Sequence, residues 1–194
     1  MYGTTNGDGS YQYSSVFELT PGENGKWREK VLHMFQSNGK GGYAPYGAVT
    51  FDAAGNLYGT TYGGGDYDDG TVFELVPAVD GRWKEQVIHS FEGEAGDGMY
   101  PYAGLTLGTT GHLYGTTRLG GTYGAGAVFE LSRDTGGRWK EKLLHSFDDN
   151  GYDAWMPCAA LALDGRGNLY GTTYYGGTHS LCGHGCGTVY EVTP

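Results

Sequence analysis

The chain repeats itself every 56 residues, and this periodicity limits its fold more than any other feature. Tyr-Gly-Thr-Thr begins at Tyr2, Tyr58, Tyr114 and Tyr170. Val-Phe-Glu-Leu begins at Val16, Val72 and Val128. Trp27, Trp83 and Trp139 keep the step, as do His33, His89 and His145, and Pro45, Pro101 and Pro157. The last copy slips, with Val189-Tyr190-Glu191-Val192 arriving five residues late and the extra residues lying between Gly177 and Gly187. A unit of this length cannot hide its apolar surface alone and buries it against its neighbours.

Each repeat holds four strand candidates. The first is short and apolar, as in Ala48-Val49-Thr50-Phe51, Gly104-Leu105-Thr106-Leu107 and Ala160-Leu161-Ala162-Leu163. A tight turn follows, such as Asp52-Ala53-Ala54-Gly55-Asn56, whose Asp and Gly-Asn tolerate the left-handed backbone of a hairpin. The second strand is Leu-Tyr-Gly-Thr-Thr and the third Thr-Val-Phe-Glu-Leu. The fourth runs from Trp83 to Phe91 in the second repeat. Glu92 to Tyr102 then forms the longest link. Four antiparallel strands and one long crossover describe a propeller blade. The strands lack clean in/out alternation, which suits sheets buried on both faces. The reading is all-β, a β-propeller of four-stranded antiparallel blades. A parallel β-helix is the rival, with shorter coils and no pair of tight hairpin turns per repeat.

The blades divide one repeat domain into a partial blade at 1–42, whole blades at 43–98 and 99–154, and a partial blade at 155–194. The ends carry strands two to four and one to three, so they do not complement each other neatly. Unpaired sheet edges are adhesive, and self-association into a homo-oligomer or assembly is expected.

Composition excludes several classes. There are 38 Gly, but also 17 Tyr, 7 Phe and 4 Trp, and disordered chains are poor in aromatics. The net charge of −10 repels phosphate backbones and anionic membrane surfaces, so no nucleic-acid partner is expected. The apolar runs are too short to span a bilayer, so no membrane insertion is expected. Nothing at the N-terminus reads as a signal peptide, since Met1-Tyr2-Gly3-Thr4-Thr5 is polar and lies inside the repeat.

Leu57-Tyr58-Gly59-Thr60-Thr61, then Gly63-Gly64-Gly65, then Gly70-Thr71-Val72-Phe73-Glu74-Leu75 resembles the GloVer tandem repeat of bacterial proteins. The resemblance covers essentially the whole chain. It implies repeat arrays, often with sorting or anchoring signals, and so an extracellular or cell-surface location. It implies no reaction. The Asp-x-x-Gly-Asn-Leu-Tyr turn also resembles hairpins of other propellers, including sugar-lactone hydrolases, on a much shorter match.

Residues present in every repeat are usually structural, because a catalytic group is needed once. The histidines and Glu18, Glu74, Glu130 and Glu191 fall under this rule, against a reading in which they ring a pore. Trp27, Trp83, Trp139 and Trp155 are candidate ligand-binding residues, because an aromatic face suits a sugar ring; blade packing is the alternative for the repeated three. The unrepeated segment His179 to Cys186 is read as a loop pinned by a Cys182–Cys186 disulfide, with zinc as the alternative. Cys158 is the third thiol. Two acidic loops, Asp66, Asp68, Asp69 and Asp148, Asn150, Asp153, offer clustered oxygens suited to calcium. Asp66, Asp97 and Asp153 are a conceivable carboxylate set for glycoside hydrolysis. The expected function is a non-catalytic extracellular repeat module for binding or self-assembly, with a lectin or glycan hydrolase, or a subunit of a filament or surface array, as alternatives.

Overall fold

The computed structural model describes residues 1–7, 13–36, 40–93, 96–150, 153–178, 182–183 and 185–194. The chain is all-β, with four antiparallel sheets stacked in chain order like propeller blades. The first sheet joins β1 (Tyr2–Thr5), β2 (Ser15–Pro21) and β3 (Trp27–Met34). The second joins β4 (Thr50–Phe51), β5 (Leu57–Thr61), β6 (Thr71–Pro77) and β7 (Trp83–Ser90). The third contains β8 (Gly98–Pro101), β9 (Thr106–Leu107), β10 (Leu113–Gly120), β11 (Ala127–Arg133) and β12 (Trp139–Ser146). The fourth contains β13 (Ala154–Pro157), β14 (Ala162–Leu163), β15 (Leu169–Gly176) and β16 (Val189–Val192).

The register repeats with the sequence. Tyr2 faces Glu18, Tyr58 faces Glu74, Tyr114 faces Glu130 and Tyr170 faces Glu191. A β-bulge falls between Val16 and Phe17, Val72 and Phe73, and Val128 and Phe129. A bulge adds one residue to one strand and increases local twist, so the first three sheets turn at the same place.

Two features differ from the sequence reading. The first strand of each blade is only two residues long, where four were expected. Its upstream carbonyls serve the preceding blade: Thr4, Thr60 and Thr116 donate to the carbonyls of Gly47, Ala103 and Ala159. The long link is not all loop. Its last residues form β8 and β13, which pair with the extended ends of β10 and β15.

Every residue of β5 is buried, as are the first five of β6, β10 and β11. Both faces of the middle sheets are therefore core. One face looks forward to the next sheet through Tyr58, Thr60 and Val72. The other looks back through Leu57, Phe73 and Leu75. Phenylalanines lock the seams edge to face: Phe35 on Phe73 at 5.1 Å, Phe91 on Phe129 at 5.2 Å, and Phe147 on Tyr190 at 4.9 Å. Backbones also meet: a Cβ on Gly104 would overlap the Ala48 carbonyl of the preceding blade.

Candidate functional site

The repeated polar residues are committed to the blades. Tyr2, Tyr58 and Tyr170 donate to Glu18, Glu74 and Glu191 at 2.7, 2.7 and 3.1 Å. Arg133 of the third sheet reaches the buried Glu74 of the second at 3.3 Å. In the third repeat His112 stands where the others carry Asn56 or Asn168, and it bonds Glu130. His89 and His145 pair with Asp97 and Asp153 at 3.3 and 3.6 Å, and His33 pairs with Glu85 of the next sheet at 3.5 Å. The histidines thus sit on the fourth strands, each stacked edge-on to a phenylalanine. Asp97 and Asp153 each serve the histidine of their own blade. Burial alone would raise the Asp97 carboxyl, but His89 and the Glu92 and Gly98 amides hold it below the usual range.

Burial dominates at two carboxyls at the seams. Glu85 and Glu141 are repeat equivalents, and each leaves Oε1 buried without a partner. Burial pushes both up to about 7, with Asp97 adding to the rise at Glu141. Desolvation disfavours the charged form, which is why an acid moves upward here.

The tryptophans differ by position. Trp83 packs on the core between the first two sheets, and Trp139 on that between the second and third. Tyr58 meets Trp139 edge-on at 6.0 Å, and the Arg133 guanidinium lies over its ring at 4.3 Å. Among the described residues no sheet lies behind Trp27, which is 57% exposed. Trp155 stacks on Tyr175 at 4.5 Å.

The 148–153 loop is closed by its own hydrogen bonds, and the 66–69 loop is tied to its surroundings. Asp148 Oδ2 accepts from Asn150, Asn150 Oδ1 from the Asp153 amide, and Asp153 Oδ2 from the Asp148 amide. Gly151 and Tyr152 of that loop lie outside the described residues. Asp68 accepts from Gly64, the Asp66 amide donates to Ser90, and the Asp69 carbonyl holds the Tyr100 amide. Among the described residues no group of three or more His, Cys, Asp or Glu is placed to hold a metal ion. Cys182 and Cys186 are joined in a disulfide; residues 179–181 and 184 of that insertion lie outside the described residues. The pairing removes both thiolates from any zinc site. Cys158 is free and half-buried, and burial raises its thiol.

Two surfaces among the described residues differ from the internal repeat. The first comprises the outer faces of the terminal sheets. Phe17 and Leu19 are half-exposed and Val31 is 47% exposed on the back of the first sheet. The equivalents of Phe17 and Leu19, which are Phe73, Leu75, Phe129 and Leu131, are all fully buried, and those of Val31, which are Val87 and Leu143, are half-buried. On the front of the fourth sheet Val189 is 79% exposed, whereas Val16, Val72 and Val128 are at 0%. The second surface is a cleft of about 560 Å³ at the seam of the third and fourth sheets, lined by Tyr102, Arg118, Trp155, Met156, Cys158, Tyr174 and Tyr175. Sequence reasoning named only Trp155 there as a ligand residue.

Among the described residues, no helix is long and apolar enough to cross a membrane. No curated protein matches the chain. The model of the Gloeobacter/Verrucomicrobia repeat matches residues 1–194, and the chain belongs to that family.

Proposed function

We propose that the chain is a non-catalytic extracellular repeat module that self-associates by stacking its terminal sheets. One observation carries the reading: the back of the first sheet and the front of the fourth are exposed copies of two faces that bury each other at every internal seam. Phe73 and Leu75 find their cover on the sheet before, and Val72 on the sheet after. Phe17, Leu19 and Trp27 need the first kind of partner, and Tyr170, Thr172 and Val189 offer the second. A second copy supplies both, head to tail. Such a heterologous contact closes into a ring or runs on as a filament, depending on the rotation per step.

The repeated Tyr, Glu and His side chains are engaged in blade contacts, which supports a role without turnover. The Cys182–Cys186 disulfide supports an oxidising, extracellular setting. Sedimentation velocity tests the assembly. The wild type is expected to exceed the 20.8 kDa monomer mass as concentration rises, while Val189→Asp stays near it. A wild type that stays monomeric to about millimolar concentration, well past typical weak contacts, contradicts the reading.

A further inference from the structure

We infer that the cleft between the third and fourth sheets is a binding site for a glycan bearing carboxylates, with a pyranose ring on its aromatic walls and Arg118 on the acid group. The inference is independent of self-association, since Arg118 lies on β10 and Tyr102 directly follows β8, and neither is on an end face.

The cleft exists because the repeat breaks its own pattern there. At the seam of the second and third sheets four tyrosines fill the equivalent space. Tyr46 stacks on Tyr102 at 4.5 Å and Tyr62 on Tyr100 at 4.8 Å, and the two pairs meet edge to face. One repeat later the same four positions hold Tyr102, Arg118, Met156 and Cys158. Three aromatic rings have been exchanged for a cation and two smaller side chains. The blade itself does not require these residues, since its geometry is the same at both seams. What the exchange leaves is an open space of about 560 Å³, within the range of small-molecule sites.

The backbone presents the new lining. Met156 has φ of 57°, and its equivalents Ala44 and Tyr100 have 54° and 58°. Such left-handed residues cost on the order of 1 kcal/mol each when they are not glycine. In a regular strand Trp155 and Met156 would point to opposite faces. With the left-handed step both line the cleft.

The chemistry of the walls selects the ligand. Tyr102 and Tyr174 are 39% and 66% exposed, and Trp155 adds the largest aromatic face. The negative face of an aromatic ring attracts the weakly positive C–H edge of a sugar. Arg118 donates to the Tyr62 hydroxyl at 3.4 Å, and among the described residues no carboxylate lies within ion-pair distance of it. A half-buried guanidinium left unpaired in a chain of net charge −10 has its bidentate fork available for an incoming carboxylate. The chain's overall negative charge does not prevent this. At physiological salt, charges beyond about 8 Å are largely screened, whereas the contact pair is not.

Calorimetric titration with an α-1,4-linked galacturonate trimer and the matching galactose trimer tests the site. Saturable binding of the galacturonate trimer is expected, with the galactose trimer at least tenfold weaker. Arg118→Gln should remove that difference, and Tyr102→Ala should weaken both trimers. Cys158→Tyr rebuilds the filled seam, so it should abolish binding without lowering the melting temperature. If a variant fails to fold, the wild type still decides: methyl esterification of the galacturonate trimer removes its charges and should lower its affinity to that of the galactose trimer. Absence of saturable uronate binding at about 10 mM, equal affinity for the two trimers, or an isotherm unchanged in Arg118→Gln overturns the proposal.

Discussion

Thr60 on the second sheet donates its hydroxyl to the carbonyl of Ala103 on the third, 2.8 Å away in a fully buried seam. Thr4 and Thr116 make the same bond one blade earlier and one later. The second threonine of the Tyr-Gly-Thr-Thr motif instead pairs within its own sheet, as Thr5 does with Ser15, Thr61 with Thr71 at 2.7 Å and Thr173 with Thr188, while Thr117 faces Ala127. Thr60→Val keeps the shape and strands the Ala103 carbonyl. A loss of about 1–3 kcal/mol is expected by denaturant unfolding. Thr172, the exposed equivalent on the fourth sheet, serves as the control, and Thr172→Val should change stability by less than about 0.5 kcal/mol.

Glycine has two different jobs in the repeat, and substitution separates them. Gly104 lies where two blades touch backbone to backbone, against Ala48. Gly55 sits in a hairpin turn with φ of 87° and open space around it. Gly55→Ala should cost on the order of 1 kcal/mol, from backbone strain alone. Gly104→Ala forces the blades apart and should cost about 3 kcal/mol or more. Equal melting temperatures for the two variants would contradict the close approach.

Glu85 and Glu141 make stability depend on pH in the direction opposite to most paired carboxylates. Their folded-state acidity lies near 7, above the ordinary 4.5. The folded chain therefore holds more protons between these values, and their contribution falls as pH rises from about 4.5 to about 7. The full effect is on the order of 2–3 kcal/mol per group. Below that window the neutral acid resembles glutamine. Glu85→Gln should thus match the wild type's pH response only at pH 4 and below, and gain on it steadily up to pH 8. Melting curves across that range provide the check, and parallel curves for the two proteins would refute the assignment.

The blade was legible in the sequence because repetition exposes it. The 56-residue step and the Asp-Gly-Asn turns revealed the strand order before any coordinate, whereas the register, with Tyr58 opposite Glu74, came only from the paired sheets. The two-residue first strands were not legible, because their missing half bonds the preceding blade, and local patterning carries no sign of that. Gly98–Pro101 reads as a link for a similar reason: its glycine and proline suit a turn, yet it pairs with the far end of β10. At the cleft, Trp155 stood out as the one tryptophan outside the repeat. The change from Tyr46 and Tyr102 to Cys158 was equally visible in the sequence. That it falls at the same seam as the change from Tyr62 to Arg118 depends on which way each side chain faces across the blades, and only the stacked sheets supply that.

Amide hydrogen exchange, followed residue by residue at two protein concentrations, tests most directly whether each sheet is protected only by its copies. In dilute protein Phe17 and Leu19 should exchange at least tenfold faster than Phe73 and Leu75, whose side chains are fully buried. At high concentration the gap should narrow as second copies cover the first sheet. Equal protection of the first and second sheets in dilute protein, or a gap that ignores concentration, would contradict the account.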